Sequence, residues 1–239
     1  MNLGHTEGIL LASVLTCMIY QSADASLWLN LEEEMKRYID AYNSTYNGSI
    51  FNWGFTSHYS YWQPRDGPDG AKVHPVTAEV DWMGFDDCDE TSYSTSQTTD
   101  CMGLFKWSIS EGINGSFSFR EYTTLPKCYN KLPLKPFQIE LNGLNITLAT
   151  VLWDDDLPAI MNNSIFYANC KFDAKIDFDG YFAYVLLKDN ASFEWVNVSV
   201  TALENATNGL QVKDGKLTYF LRGTYEEKIW CDEKHNKTK

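Results

Sequence analysis

Three kinds of side chain in this 239-residue sequence could do chemistry: histidines, cysteines and clustered carboxylates. A hydrolase would place one of His58, His74 or His235 beside a nucleophile as general base. The sequence has no G-x-S-x-G elbow, no H-E-x-x-H pair and no phosphate-cradling glycine loop. His58 falls on the polar side of an alternating run, where a histidine is a surface residue rather than a base. Carboxylates gather at Asp86, Asp87, Asp89 and Glu90 around Cys88, and at Asp154, Asp155 and Asp156 after Trp153. Asp173, Asp177 and Asp179 alternate along another run. None of these matches an EF-hand calcium loop. They read as solvated loop ends or as a negative patch for a basic partner. No catalytic, metal-binding or cofactor-binding residue is assigned, and the expected activity is binding without catalysis.

The cysteines carry a different message. Cys17 lies in an apolar leading segment and leaves with it, so Cys88, Cys101, Cys128, Cys170 and Cys231 remain. In an oxidising compartment five cysteines form two bridges and leave one thiol over. Cys88 and Cys101 flank a short polar loop and are the expected local pair, with Cys231 tied back to the body of the protein. The left-over thiol can also join two chains as a disulfide-linked dimer. No C-x-x-C occurs, which leaves a thioredoxin-like site and a zinc ribbon unsupported.

That compartment is written at the N-terminus. Ile9 to Tyr20 is a mostly apolar run of twelve residues, followed by Ala23-Asp24-Ala25. A membrane span needs about twenty apolar residues. Residues 1–25 therefore read as a secretory signal peptide, and 26–239 as one secreted domain released without an anchor. Sequons occur at Asn43, Asn47, Asn114, Asn145, Asn162, Asn190, Asn197, Asn205 and Asn236. From 17 Asn and 35 Ser plus Thr, chance gives about 2.5. A glycosylated Asn must face water, so much of the surface is expected under carbohydrate. The longest sequon-free stretch, between Asn47 and Asn114, becomes the candidate bare surface. The net charge of −13 excludes nucleic acid and an anionic membrane as partners, since both need clustered Lys and Arg.

The elements that must position these groups are mostly strands. One helix opens the mature chain, with Trp28, Leu31, Met35, Tyr38, Ile39 and Tyr42 at spacings of three and four. Asn30 followed by Glu33 resembles a capping box, and Glu32–Lys36 and Glu33–Arg37 are candidate ion pairs. The period then changes to two. Phe51, Trp53, Phe55, Tyr59 and Tyr61 predict one strand with an aromatic face, ended by the Pro- and Gly-rich run 64–70. Further strands are expected over 76–82, 104–108, 116–121, 170–178, 181–187 and 193–200. Asn142-Gly143 between Phe137–Leu141 and Leu144–Leu148 predicts a type I′ hairpin, and Asp214-Gly215 predicts a second one. Short turns between consecutive strands predict an all-β fold, an antiparallel barrel or sandwich with one N-terminal amphipathic helix.

An acidic, sequon-dense secreted β-protein opening on a Trp-bearing helix resembles the salivary immunosuppressant glycoproteins of hard ticks. Trp28 and Asp40-Ala41-Tyr42 on the helix, followed by the aromatic run Phe51 to Tyr61, also resemble tick lipocalins, although Gly54 follows Trp53 where that family has G-x-W. A poxvirus-type secreted cytokine-capturing sandwich is a third similarity. The first resemblance implies a protein that binds a host immune protein, a cytokine or lymphocyte factor, and suppresses the response. The second implies a carrier for a small amine or lipid. The expected binding face combines Trp53, Phe55, Tyr59 and Tyr61 with Asp86, Asp87 and Asp154 to Asp156.

Overall fold

The computed structural model describes residues 27–46, 49–63, 73–92, 98–129, 134–143, 145–151, 164–188 and 192–233. The expected signal peptide lies outside them, as do Asn47, Asn162, Asn190, Asn236 and the run Asp154 to Asp156. The fold is all-β with one helix. Four long strands build the main sheet: β3 (Thr77–Ser92), β4 (Thr98–Asn114), β8 (Ser164–Asp179) and β12 (Lys216–Glu233). Their order is β4-β12-β8-β3, antiparallel throughout. β1 (Leu27–Asn30) joins the far side of β4 in parallel, and β7 (Asn145–Val151) and β11 (Gln211–Lys213) add short antiparallel rungs. The path from β1 to β3 does not close, so among the described residues there is no closed barrel.

Alternation explains these strands. Phe166, Ala168, Cys170, Phe172, Ala174, Ile176 and Phe178 of β8 are all buried. Directly opposite on β12, Leu217, Tyr219, Leu221, Tyr225 and Ile229 turn to the same face. Trp107 and Tyr225 then pack tilted against each other across the β4–β12 ladder at 5.0 Å.

The helix α1 (Leu31–Tyr46) forms over the expected spacing from Leu31 onward, whereas Trp28, expected on it, lies in β1. Leu31, Met35 and Ile39 are buried, and the Asn30 side chain accepts hydrogen bonds from the Glu32 and Glu33 amides at 3.0 and 3.2 Å. The ion pair differs from expectation: Arg37 meets Glu34 at 2.6 Å, because burial draws Glu34 inward. α1 covers one face of a three-stranded sheet, β10 (Phe193–Ser199), β9 (Tyr181–Leu187) and β2 (Ser49–Gly54). Tyr38 meets Phe182 edge-on at 5.6 Å, and Tyr42 tilts against Tyr184 at 5.7 Å. A third sheet pairs β5 (Arg120–Leu125) with β6 (Lys135–Glu140).

Three expectations are corrected here. The aromatic run 51–61 is not one strand. β2 ends at Gly54, where the Tyr59 ring folds back so closely that a Cβ at Gly54 would sit 2.4 Å from it. The Asn142-Gly143 hairpin does not form: β6 pairs with β5 and β7 with β4. Asn142 instead donates from its amide to the Phe117 carbonyl, and the Leu141 amide donates to the Phe119 carbonyl at 2.9 Å. Cys88 and Cys101 are not bonded to each other. Cys88 joins Cys170 and Cys101 joins Cys231.

Candidate functional site

The second face of the small sheet is the candidate contact surface. Register places Phe193, Trp195 and Asn197 of β10 on one face with Leu187, Val185 and Ala183 of β9. A bulge between Ile50 and Asn52 on β2 leaves Phe51 as the extra residue, and its ring meets Phe193 at 5.9 Å. Segment 55–62 then crosses this face. Tyr59 and Tyr61 pack on Trp195 at 5.7 and 5.4 Å, and Trp62 meets Tyr61 edge-on at 4.5 Å. The cover buries Ala183 and Val185 but stops short of the rim, where Phe51 is 74% exposed and Phe193 60%.

The expected site residues divide. Tyr59 and Tyr61 belong to this face. Trp53 and Phe55 point the other way: they stack at 6.0 Å, and Phe55 is buried against Phe117. Asp86 and Asp87 are exposed on β3, ten residues or more beyond Val76, whose amide bonds to the Phe55 carbonyl. At about 3.3 Å per residue that separation is about 30 Å, so rings and acids do not share one contact surface. Asp87 pairs with Lys171 at 2.7 Å, and that bond and charge hold its carboxyl below the usual range. Asp177 is buried on Thr218 and Lys175, and Asp173 meets Arg222 at 3.4 Å. Phe51 was visible as part of the aromatic run, but the role of Phe193 and Trp195 came without any local signal, because they meet it through β9.

Asn197 lies within this face, and its side-chain amide donates to the Tyr61 hydroxyl at 2.8 Å. A sequon thus borders the stretch that is sequon-free along the chain. Asn114 and Asn145 are also exposed, whereas Asn43 and Asn205 are half-buried. Asn205 caps a short 3-10 turn by accepting from the Thr207 amide at 3.1 Å.

Two further places hold reactive groups. His74 approaches Asp179 at 3.7 Å, with both side chains about half exposed. In the main sheet, Glu227 is fully buried, and its carboxylate accepts from the amides of Lys127, Cys128 and Tyr129 at 2.7, 3.1 and 2.9 Å. The Tyr225 hydroxyl adds a fourth bond at 2.8 Å, and burial pushes the ionisation of that phenol strongly upward. Cys128, the one free cysteine among the described residues, lies beside this carboxylate. Cys88, Cys128 and Cys170 bring their sulfurs within 4.8 Å of one another.

No protein-family model and no curated protein matches the sequence. Some solved structures align with this chain. A non-toxic crystal protein from Bacillus thuringiensis aligns over 85% of this chain and 94% of its own, at 10% identity and TM-score 0.44. A Cry23Aa1 and Cry37Aa1 binary complex matches over 84% and 85%, at 11% identity and TM-score 0.42. The Mpp75Aa1.1 β-pore-forming protein from Brevibacillus laterosporus matches over 85% and 87%, at 8% identity and TM-score 0.29. At such TM-scores none of them bears on what this chain does.

Proposed function

We propose that this chain is a secreted, N-glycosylated protein that binds a host immune protein and suppresses its action by occupancy, without catalysis. The exposed ring pair Phe51–Phe193 carries the reading. Large aromatic side chains dominate the energy of protein–protein contacts, and here two of them stay in water at the rim of a packed aromatic face. The net charge of −13 favours a basic, cytokine-like partner and speeds encounter with one. Two disulfides suit an oxidising, extracellular setting. A glycan on Asn197, four residues along β10 from Phe193, would sit at the Tyr61 end of the face.

The test is a binding screen of the secreted protein against purified cytokines and lymphocyte ectodomains by interferometry. A basic member of the panel is expected to bind. Phe51→Ser with Phe193→Ser should weaken that binding by about tenfold or more, with secretion unchanged. Silence across the panel would overturn the immune reading, and full affinity in the double variant would remove this face from it.

A small-molecule carrier is the second reading. A cleft of about 240 Å³ lined by Trp28, Glu33, Glu34, Arg37, Asn208 and Tyr219 favours it. Rings and carboxylates together suit an amine cation. Native mass spectrometry of the deglycosylated protein with an added amine such as histamine or serotonin would show the bound mass, and an unshifted chain would count against it.

A further inference from the structure

We propose that Cys88, Cys128 and Cys170 form a thiol–disulfide exchange site that moves the free thiol from half-buried Cys128 to exposed Cys88, where a small disulfide such as oxidised glutathione modifies the protein. The Cys128 sulfur lies 3.6 Å from that of Cys170, which is already bonded to Cys88. This approach is built into the fold. Glu227 binds three successive amides, those of Lys127, Cys128 and Tyr129, and so clamps the segment carrying Cys128 against β12. Two residues before Glu227, Tyr225 stands opposite Cys170 in the β12–β8 register. The clamp therefore sets Cys128 over Cys170.

Cys88 reaches the same place through a second device. β3 steps from Asp86 to Asp89 while β8 steps from Lys171 to Asn169, so one extra residue is accommodated, with Asp87 at φ 51°. Phe85 packs inward on Tyr225, and regular alternation would then turn Cys88 outward. The bulge resets the phase and aims Cys88 at Cys170. β3 is an edge strand, and Cys88 remains exposed there.

The exchange is balanced without an external oxidant. Cys128 loses its proton to solvent and its thiolate attacks the Cys170 sulfur. The Cys128–Cys170 bond forms, the Cys170–Cys88 bond breaks, and Cys88 leaves as a thiolate. In the modification step that thiolate attacks the added disulfide, forming a mixed disulfide and releasing the other half as a thiolate, which takes a proton from solvent. All three sulfurs lie within 4.8 Å, so Cys128 sits beside the S–S bond rather than in line with it, and attack requires its side chain to turn onto that line first. Burial, reinforced by Glu227 on β12 and Glu90 on β3 and opposed by Lys127, pushes the Cys128 thiol up to about 12. Tyr225 on β12 also faces it. The thiolate is therefore scarce at neutral pH, and exchange should quicken by about tenfold per pH unit below that value.

The full-length secreted protein would be held at about pH 9, quenched in acid, alkylated and mapped without reduction. Before incubation the label is expected on Cys128. Afterwards it should appear on Cys88, together with a Cys128–Cys170 linked peptide, and added oxidised glutathione should accumulate on Cys88. Cys128→Ser should keep the Cys88–Cys170 bridge and give no label on Cys88. Label confined to Cys128 at all times would overturn the proposal. So would equal Cys88 labelling in the Cys128→Ser variant.

Discussion

Around Glu227 the protein hides a carboxylate inside its longest sheet and surrounds it with donors, whereas on β2 and β10 it leaves the rings of Phe51 and Phe193 in water. Both regions sit on sheets whose alternation is otherwise regular. In the first, a group that prefers water is inside, and its requirements are met by amides about a hundred residues away in the chain. In the second, groups that prefer the interior are outside, and nothing among the described residues covers their rim. A buried charge with every partner supplied fixes one arrangement of the chain. An uncovered aromatic pair leaves binding energy available to a partner. The first region is therefore expected to respond to mutation in stability, and the second in binding.

The largest effect should come from Glu227→Ala, which strands one buried hydroxyl and three part-buried amides. A loss of roughly 4 kcal/mol is expected, seen as a fall in Tm of about 10 °C. Glu227→Gln keeps an acceptor and should lose about half as much. A Tm unchanged by either variant would erase the contrast between the regions.

Alkaline pH should act next, through the buried phenols. Burial pushes the Tyr219 phenol from 10.0 up to about 12, while its hydroxyl donates to the Gly112 carbonyl at 3.0 Å. Tyr184 and Tyr225 are raised for the same first reason. The unfolded chain loses these protons first, so the stability they contribute is whole below pH 10 and is lost as pH rises toward the folded values. Chemical denaturation at several alkaline pH values should show this decline, and Tyr219→Phe should flatten it.

Gly215→Ala should cost about 1 kcal/mol, because φ is +80° there, whereas Gly143→Ala should be nearly neutral. Phe51→Ser with Phe193→Ser should also change stability little, within about 0.5 kcal/mol for each exposed side chain. A large drop in Tm from that pair would show that the rim supports the fold and is not a free contact surface.

The two glycine turns also show how far a sequence can be read. Asp214-Gly215 makes the expected hairpin, with φ 50° and 80° and Val212 opposite Leu217. Asn142-Gly143 has the same dipeptide logic and the same flanking alternation, and it fails. Period-two burial survives in Ile139 and Leu141, so strand character was legible. The partner was not: β6 pairs with β5 and β7 with β4, so the two strands complete two ladders instead of one. The cysteines follow the same rule. A short loop made Cys88–Cys101 the local expectation, but Cys101 and Cys231 face each other directly across β4 and β12, and the β3 bulge turns Cys88 to Cys170.

What the sequence determined by itself is the content of each element. α1 and its Asn30 cap, the alternating segments within the strands, the Asp214-Gly215 turn and the all-β class all follow from interactions within a few residues. What only the tertiary structure decided is which elements meet. The disulfides bridge 82 and 130 residues, the Glu227 clamp spans about a hundred, and Tyr61 finds Asn197 across 136. Such contacts depend on which sheet each strand joins and on where a bulge shifts its phase. Local propensity does not encode that choice, because one alternating strand can pair with many others until the whole core is assembled.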